Sequence, residues 1–217
     1  MSAVPFVTEE DVRSALDRVV THLRGGGLLA YPTETVYGLG SRARDTDVRE
    51  LAALKGRAPG KPFLLLVASR EMAEAQGLAF NESAHALARA FWPGPLTLVL
   101  PGGSGRLPDL LRGPEGGIAV RWTSHPHIAR LVEHLGEPLT STSANLPGRG
   151  PAPGADAILR DFRQAVASGR LLVLDGGVLG NRPPSTVVDC TGPQARLIRP
   201  GAFSVAELRG AAGILAP

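Results

Sequence analysis

The sequence predicts an α/β protein, a single domain over residues 1–217 built as a twisted, open, mixed sheet with helices on both faces. Apolar runs of strand length alternate with segments of helical spacing along the whole chain. Phe63-Leu64-Leu65-Leu66-Val67 is apolar without a break, as a strand covered on both sides must be. Pro and Gly, 19 and 27 residues of 217, punctuate the chain too densely for a strict succession of crossovers, which argues for strands running both ways.

Thr8-Glu9-Glu10-Asp11 resembles a capping box, and Val12, Ala15, Leu16, Val19, Val20 and Leu23 follow at helical spacing up to Gly25. Leu28 to Tyr31 is a short apolar strand that Pro32 ends, because proline has no N–H to give a ladder. A helix capped by Asp45 or Thr46 carries Val48, Leu51, Ala52 and Leu54 and runs into Lys55. Ser69 and Asn81 start two more helices, and Trp92-Pro93-Gly94-Pro95 breaks the second. Leu96 to Leu100 resumes the sheet, residues 101–117 form a long Gly/Pro-rich excursion, and Ile118-Ala119-Val120 leads as a strand to Arg121. Ser124 or His125 opens a helix that Gly136 stops. Pro138 to Thr140 is a strand ending in the polar run Ser141-Thr142-Ser143-Ala144-Asn145. A helix from Ala155 to about Ala167, strands at Leu171–Leu174, Thr186–Asp189 and Leu197–Arg199, and a helix after Ser204 complete the order.

Composition narrows the class. Hydrophobic residues make up 43% of the chain but aromatics only 5%, so the core is aliphatic. The longest apolar run, Phe63 to Ala68, is strand-sized, and no export signal is visible, so a cytoplasmic protein with no membrane partner is expected. The single cysteine, Cys190, excludes an internal disulfide and a cysteine-based metal cluster. Net charge is only +3, low for a dedicated nucleic-acid binder, although a pI near 9.6 leaves room for a basic cleft. Of 23 basic residues only Lys55 and Lys61 are lysines, and both fall in Lys55-Gly56-Arg57-Ala58-Pro59-Gly60-Lys61. An ammonium is a compact point charge suited to a phosphate or carboxylate met end-on.

The stretch Leu28 to Gly40 holds both tyrosines of the chain, Tyr31 and Tyr37, and places Thr33, Glu34 and Thr35 just beyond a strand. Two readings stand side by side: a ligand site at a strand end, or a capped turn with Thr35 as N-cap and the tyrosines as packing. Apolar strands next to hydroxyl, amide or basic clusters recur at Thr33/Thr35, Arg121, Ser141/Ser143/Asn145, Ser185/Thr186 and Arg199. Brought together with Lys55, Arg57 and Lys61, they would line a cleft for a polyanion, most simply a nucleoside triphosphate. Other templates fail. The phosphate-loop pattern is absent, since Pro62 follows Gly60-Lys61. His125 and His127 lack further zinc ligands, so no metal is expected to be held by protein side chains. Asp189 fits structural pairing better than magnesium. Without a nucleophile arrangement, catalysis by positioning and charge stabilisation is expected.

Tyr31-Pro32-Thr33-Glu34-Thr35-Val36-Tyr37-Gly38-Leu39-Gly40, Lys55-Gly56-Arg57, Trp92-Pro93-Gly94-Pro95-Leu96-Thr97, Val120-Arg121, Ser141-Thr142-Ser143-Ala144-Asn145, Ser185-Thr186-Val187-Val188-Asp189 and Ile198-Arg199-Pro200-Gly201 follow one another in the order found in the Sua5/YrdC/YciO family, which the chain resembles over roughly residues 10–205. The resemblance implies a YrdC-like fold and a threonylcarbamoyl-AMP synthase: L-threonine, bicarbonate and ATP give threonylcarbamoyl-adenylate and pyrophosphate, with Mg²⁺ arriving on ATP. The product would pass to downstream tRNA threonylcarbamoyl-transferase proteins. Carried over by position, Lys55 and Arg57 would be catalytic. Lys61 and Arg121 would hold phosphates, and Ser141, Ser143, Asn145, Ser185, Thr186 and Arg199 would line the nucleotide side. Thr33, Thr35 and Tyr37 would face threonine or its carbamate. The resemblance also implies an alternative, a tRNA or double-stranded RNA-binding module without synthase activity, and weak RNA binding beside a synthase. Ala68, Pro147 and Trp122-Thr123 depart from the family pattern, and the chain resembles the short form, without the C-terminal domain of longer members.

Overall fold

The computed structural model describes residues 2–56, 61–180 and 182–213. Strand β1 (Val4–Pro5) leads into helix α1 (Glu9–Arg24). Thr8 Oγ1 accepts from Asp11 N at 3.1 Å and the Asp11 carboxylate accepts from Thr8 N at 2.8 Å, closing the capping box. After β2 (Leu28–Tyr31) the chain turns through Thr33–Val36 and returns as a short strand, β3 (Gly38–Gly40). No helix follows this turn, so Thr35 is not an N-cap. Gly38 and Gly40 lie against the Tyr31 ring; a Cβ on Gly40 would collide with the Thr140 carbonyl.

Helix α2 (Asp45–Lys55) starts at Arg44 without a side-chain cap, so neither Asp45 nor Thr46 serves as one, and it ends on Gly56 in the left-handed region (φ 55°). β4 (Leu64–Val67) precedes α3 (Arg70–Ala75) and α4 (Glu82–Phe91), whose caps Ser69 and Asn81 are those expected. β5 (Leu96–Leu100) enters the excursion, where Arg112 Nη1 donates to the carbonyls of Gly102 (2.8 Å) and Gly116 (3.0 Å) and closes the loop on itself. β6 (Ile118–Trp122), α5 (Pro126–Leu135) and β7 (Leu139–Ser143) follow. The polar run Ser141–Ser143 thus belongs to a strand rather than to the loop after one. The predicted long helix is two, α6 (Ala155–Asp161) and α7 (Arg163–Ala167), broken at Phe162. β8 (Leu171–Asp175), β9 (Thr186–Asp189), β10 (Arg196–Arg199) and α8 (Val205–Ala212) complete the described chain.

The strands form one mixed sheet in the order β1-β8-β2-β3-β7-β4-β6-β5-β9-β10. Alternation of side chains divides its core between two faces. Leu29, Tyr31 and Leu66 pack with α1 and α5, whereas Leu28, Ala30, Leu65 and Val67 pack with residues of α2, α4 and α6 on the other. The predicted α/β class, a mixed sheet covered on both sides, is the observed one. Central strands β7 and β6 carry Ser141, Thr142, Ser143 and Arg121, and a cavity opens beside them.

Candidate active site

A cavity of about 480 Å³ crosses the middle of the sheet, lined by Thr33, Thr35, Thr97, Arg121, Ser141, Ser143, Ser185 and Arg199 with an apolar floor that includes Leu64, Ala119 and Val187. It does not sit only at carboxyl ends of strands: Arg121 and Ser143 come from such ends, but Thr97 lies near the amino end of β5 and Ser185 just before β9. Antiparallel pairings bring the two kinds of end together.

One wall is the turn after β2. Thr33 Oγ1 accepts from the backbone N–H of Thr35 and Val36, both at 3.2 Å, donates to Val36 O at 2.7 Å, and lies 3.0 Å from Thr35 Oγ1. Each hydroxyl is thereby fixed, and both side chains are buried. Arg121 reaches the same wall, its Nη1 3.4 Å from Thr35 Oγ1. Strand alternation puts Ala119 and Arg121 on one face, so the guanidinium enters over an apolar floor.

The opposite wall is built by Ser185 and Arg199. Ser185 Oγ lies 2.9 Å from Thr97 Oγ1, and Arg199 Nη2 donates to Ser185 O (2.9 Å) and Oγ (3.2 Å). Both guanidiniums line this one cavity, and burial, and then the charge of Arg121, hold that of Arg199 below its usual range. Among the described residues that line the cavity none is acidic, and two, Arg121 and Arg199, are basic.

Lys55 supports the third side from behind. Its side chain is buried, and its Nζ donates to Ser143 O (2.8 Å), to Asn145 Oδ1 (2.7 Å) and to the Asn145 carbonyl. Asn145 Oδ1 also accepts from Ser143 Oγ. The lysine and the serine–asparagine tip, expected from sequence to converge, are in contact. Lys55 and Asn145 reach the cavity through Ser143 rather than by lining it. Lys61 is exposed beside the lining residue Pro62, and Arg57 lies outside the described residues.

Two expected site residues face elsewhere. The Tyr37 hydroxyl donates to Gly177 O (2.7 Å) and accepts from Gly176 N (2.9 Å), tying the turn to the end of β8, and its ring belongs to the core. Thr186 Oγ1 accepts from Phe203 N at 2.9 Å and is fully buried. Asp189 is committed to structure. Burial alone would raise its carboxyl, but hydrogen bonds from Thr191 and Arg196 outweigh that and hold it below the usual range. Sequence reasoning passed over Thr97 as a cavity residue; its position one residue into β5, after the Trp92–Pro95 break, was the available signal.

A family model named for Sua5, YciO and YrdC and described as telomere recombination matches residues 21–201. The chain belongs to the Sua5/YciO/YrdC family. The threonylcarbamoyl-AMP synthase of Thiobacillus denitrificans is 39% identical over 84% of this chain and 94% of that protein. The threonylcarbamoyl-AMP synthase of Pyrococcus abyssi is 36% identical over 88% of this chain, which spans only 55% of the relative. The solved structure of P. abyssi Sua5 complexed with L-threonine superposes on all of this chain and 63% of that one, with TM-score 0.87 and 33% identity. The chain therefore spans a little over half of the Pyrococcus protein and nearly all of the Thiobacillus one. A Sua5/YciO/YrdC domain here presents a hydroxyl-lined wall and a guanidinium-lined wall across one cavity. No helix among the described residues is long and apolar enough to cross a membrane.

Proposed function

We propose that the protein is a threonylcarbamoyl-AMP synthase acting in the cytoplasm. The observation that carries this is the cavity itself, with Thr33 and Thr35 on one wall, Ser185 and Arg199 on the other, and Arg121 between them. The threonine amine attacks the bicarbonate carbon and water leaves, giving a carbamate. A carbamate oxygen then attacks the ATP α-phosphorus, the bond to the bridging oxygen breaks, and pyrophosphate departs. Thr33 and Thr35 orient the amino acid, while Ser141, Ser143, Ser185 and Arg199 hold the nucleotide, with Lys61 and Arg57 serving its phosphates. Arg121 stands where carbamate and phosphate must meet, and its charge stabilises the anionic oxygens that develop there.

The described lining residues include no His, Cys, Asp or Glu, so the reaction rests on alignment and charge. Among the described residues no cluster of His, Cys, Asp or Glu forms a metal cage. The serine and threonine hydroxyls that line the cavity are oxygen donors compatible with Mg²⁺ carried on the phosphates of ATP, where it would neutralise the leaving pyrophosphate. Downstream tRNA threonylcarbamoyl-transferase proteins would receive the adenylate. The supporting similarity is to synthases of the family, one of them solved with L-threonine. The test is pyrophosphate release, expected only when threonine and bicarbonate are both present; release indifferent to threonine would refute the reading.

A further inference from the structure

We propose that Glu34 is a positioning residue that aims the Arg121 guanidinium into the cavity, an inference resting on the synthase reading above. Glu34 does not line that cavity; it faces the smaller one behind the Thr33–Thr35 wall. Its side chain is 8% exposed and that of Arg121 4%. Oε2 accepts from Thr123 Oγ1 at 2.6 Å, and Thr123 Oγ1 accepts in turn from His125 N at 3.2 Å. The loop after β6 thus fixes the carboxylate from behind. Oε1 lies 3.6 Å from Arg121 Nε, and neither atom has a hydrogen-bond partner among the described residues.

A buried ion pair held at that distance adds little to stability, because desolvation of both groups offsets their attraction. Buried polar atoms left unpaired are rare and concentrate at functional sites. The arrangement has a clear effect on Arg121. Attraction on the Nε side sets the plane of the guanidinium and leaves its Nη edge toward Thr35, where Nη1 stands 3.4 Å from Oγ1. It also keeps Arg121 in place against the repulsion of the nearby Arg199. Glu34 therefore acts on the reaction through Arg121 and touches no reacting atom.

Glu34→Gln retains size and an acceptor for Thr123 but presents no charge to Nε. It is expected to lower kcat/KM for threonine by about 10-fold or more, while in an Arg121→Lys background, which has no guanidinium to aim, it costs less than about two-fold. Because the amide leaves Arg121 buried without its counter-charge, Thr123→Val serves as a second probe: it frees the carboxylate, keeps its charge, and is expected to lower kcat/KM only when Arg121 is present. A readout independent of turnover is the Arg121 side-chain Nε–H signal in heteronuclear NMR spectra. It is expected to move in Glu34→Gln and Thr123→Val but not in the exposed control Glu10→Gln. Equal losses in both backgrounds, or an unmoved Nε–H signal, would overturn the proposal. A wild-type protein that releases no threonine-dependent pyrophosphate would defeat the synthase reading instead, and the NMR comparison would still decide the role of Glu34.

Discussion

Lys55→Met should cost stability and activity together. Lys55 is 7% exposed. Its ammonium meets Ser143 O at 2.8 Å, Asn145 Oδ1 at 2.7 Å and the Asn145 carbonyl. Methionine fills the same volume and donates to none of them. A hydrogen bond to a charged group is worth about 1.5–3 kcal/mol, and partial relaxation with water reaching Asn145 reduces the sum to about 2–4 kcal/mol. For a domain of this size that corresponds to a fall in Tm of about 5–15 °C. The activity loss should be of similar size: Ser143 leaves its place on the cavity wall, and kcat/KM for pyrophosphate release should fall by about 100-fold, or about 2.7 kcal/mol of transition-state stabilisation. Lys55→Arg should lie between the two, because a planar fork cannot converge on three oxygens as an ammonium does. Thermal unfolding and initial rates on the same preparations decide it. Wild-type Tm with lost activity would mean that Lys55 acts on a ligand directly and not through the turn. Wild-type values of both would refute the geometry.

Thr35→Val removes a hydroxyl from the threonine wall and should raise the threonine KM by about 5- to 20-fold, about the worth of one hydrogen bond, in initial-rate titrations. Tyr37→Phe should destabilise the fold by about 1–3 kcal/mol in denaturant titration, by releasing the backbone groups of Gly176 and Gly177, yet keep kcat/KM within about three-fold because the phenol faces away from the cavity. Burial, reinforced by His127 and opposed by Glu34, holds the His125 imidazole below its ordinary 6.5. The unfolded chain therefore takes up that proton first: stability is full above about pH 6.5 and declines as pH falls through the folded value, and His125→Asn should flatten the slope of Tm between about pH 7 and pH 5. Burial, together with Asp189, pushes the Cys190 thiol up to about 12, so iodoacetamide at about pH 8 should label it only after unfolding.

The helices were legible because their ends carry local chemistry. Thr8, Ser69, Asn81 and Ser204 each accept from the backbone three residues on, a bond that depends only on adjacent sequence. β1 and β3 were not legible, being too short for a period to show, and β3 is Gly-Leu-Gly because the Tyr31 ring crowds it. The start of β7 was legible at Leu139 and Thr140, but Ser141–Ser143 reads as a loop by composition. These residues continue the strand and line the cavity, a condition set by the neighbouring strands. The site divides in the same way. Thr33, Thr35, Arg121, Ser141, Ser143, Ser185 and Arg199 stood out as polar groups beside apolar strands, and all line the cavity. Spacing could not show that Tyr37 and Thr186 spend their hydroxyls on backbone partners far along the chain. Nor could it show that Glu34 lies 3.6 Å from an arginine 87 positions later.

The central claim is that one cavity brings an amino acid, bicarbonate and a nucleotide into a single product. Incubation with L-threonine, ATP, Mg²⁺ and isotopically labelled bicarbonate, followed by mass spectrometry, tests it most directly. A nucleotide species carrying threonine, AMP and the bicarbonate carbon together, lost when Arg121 or Lys55 is replaced, is the result expected. ATP left unchanged, or adenylated threonine without the labelled carbon, would contradict it.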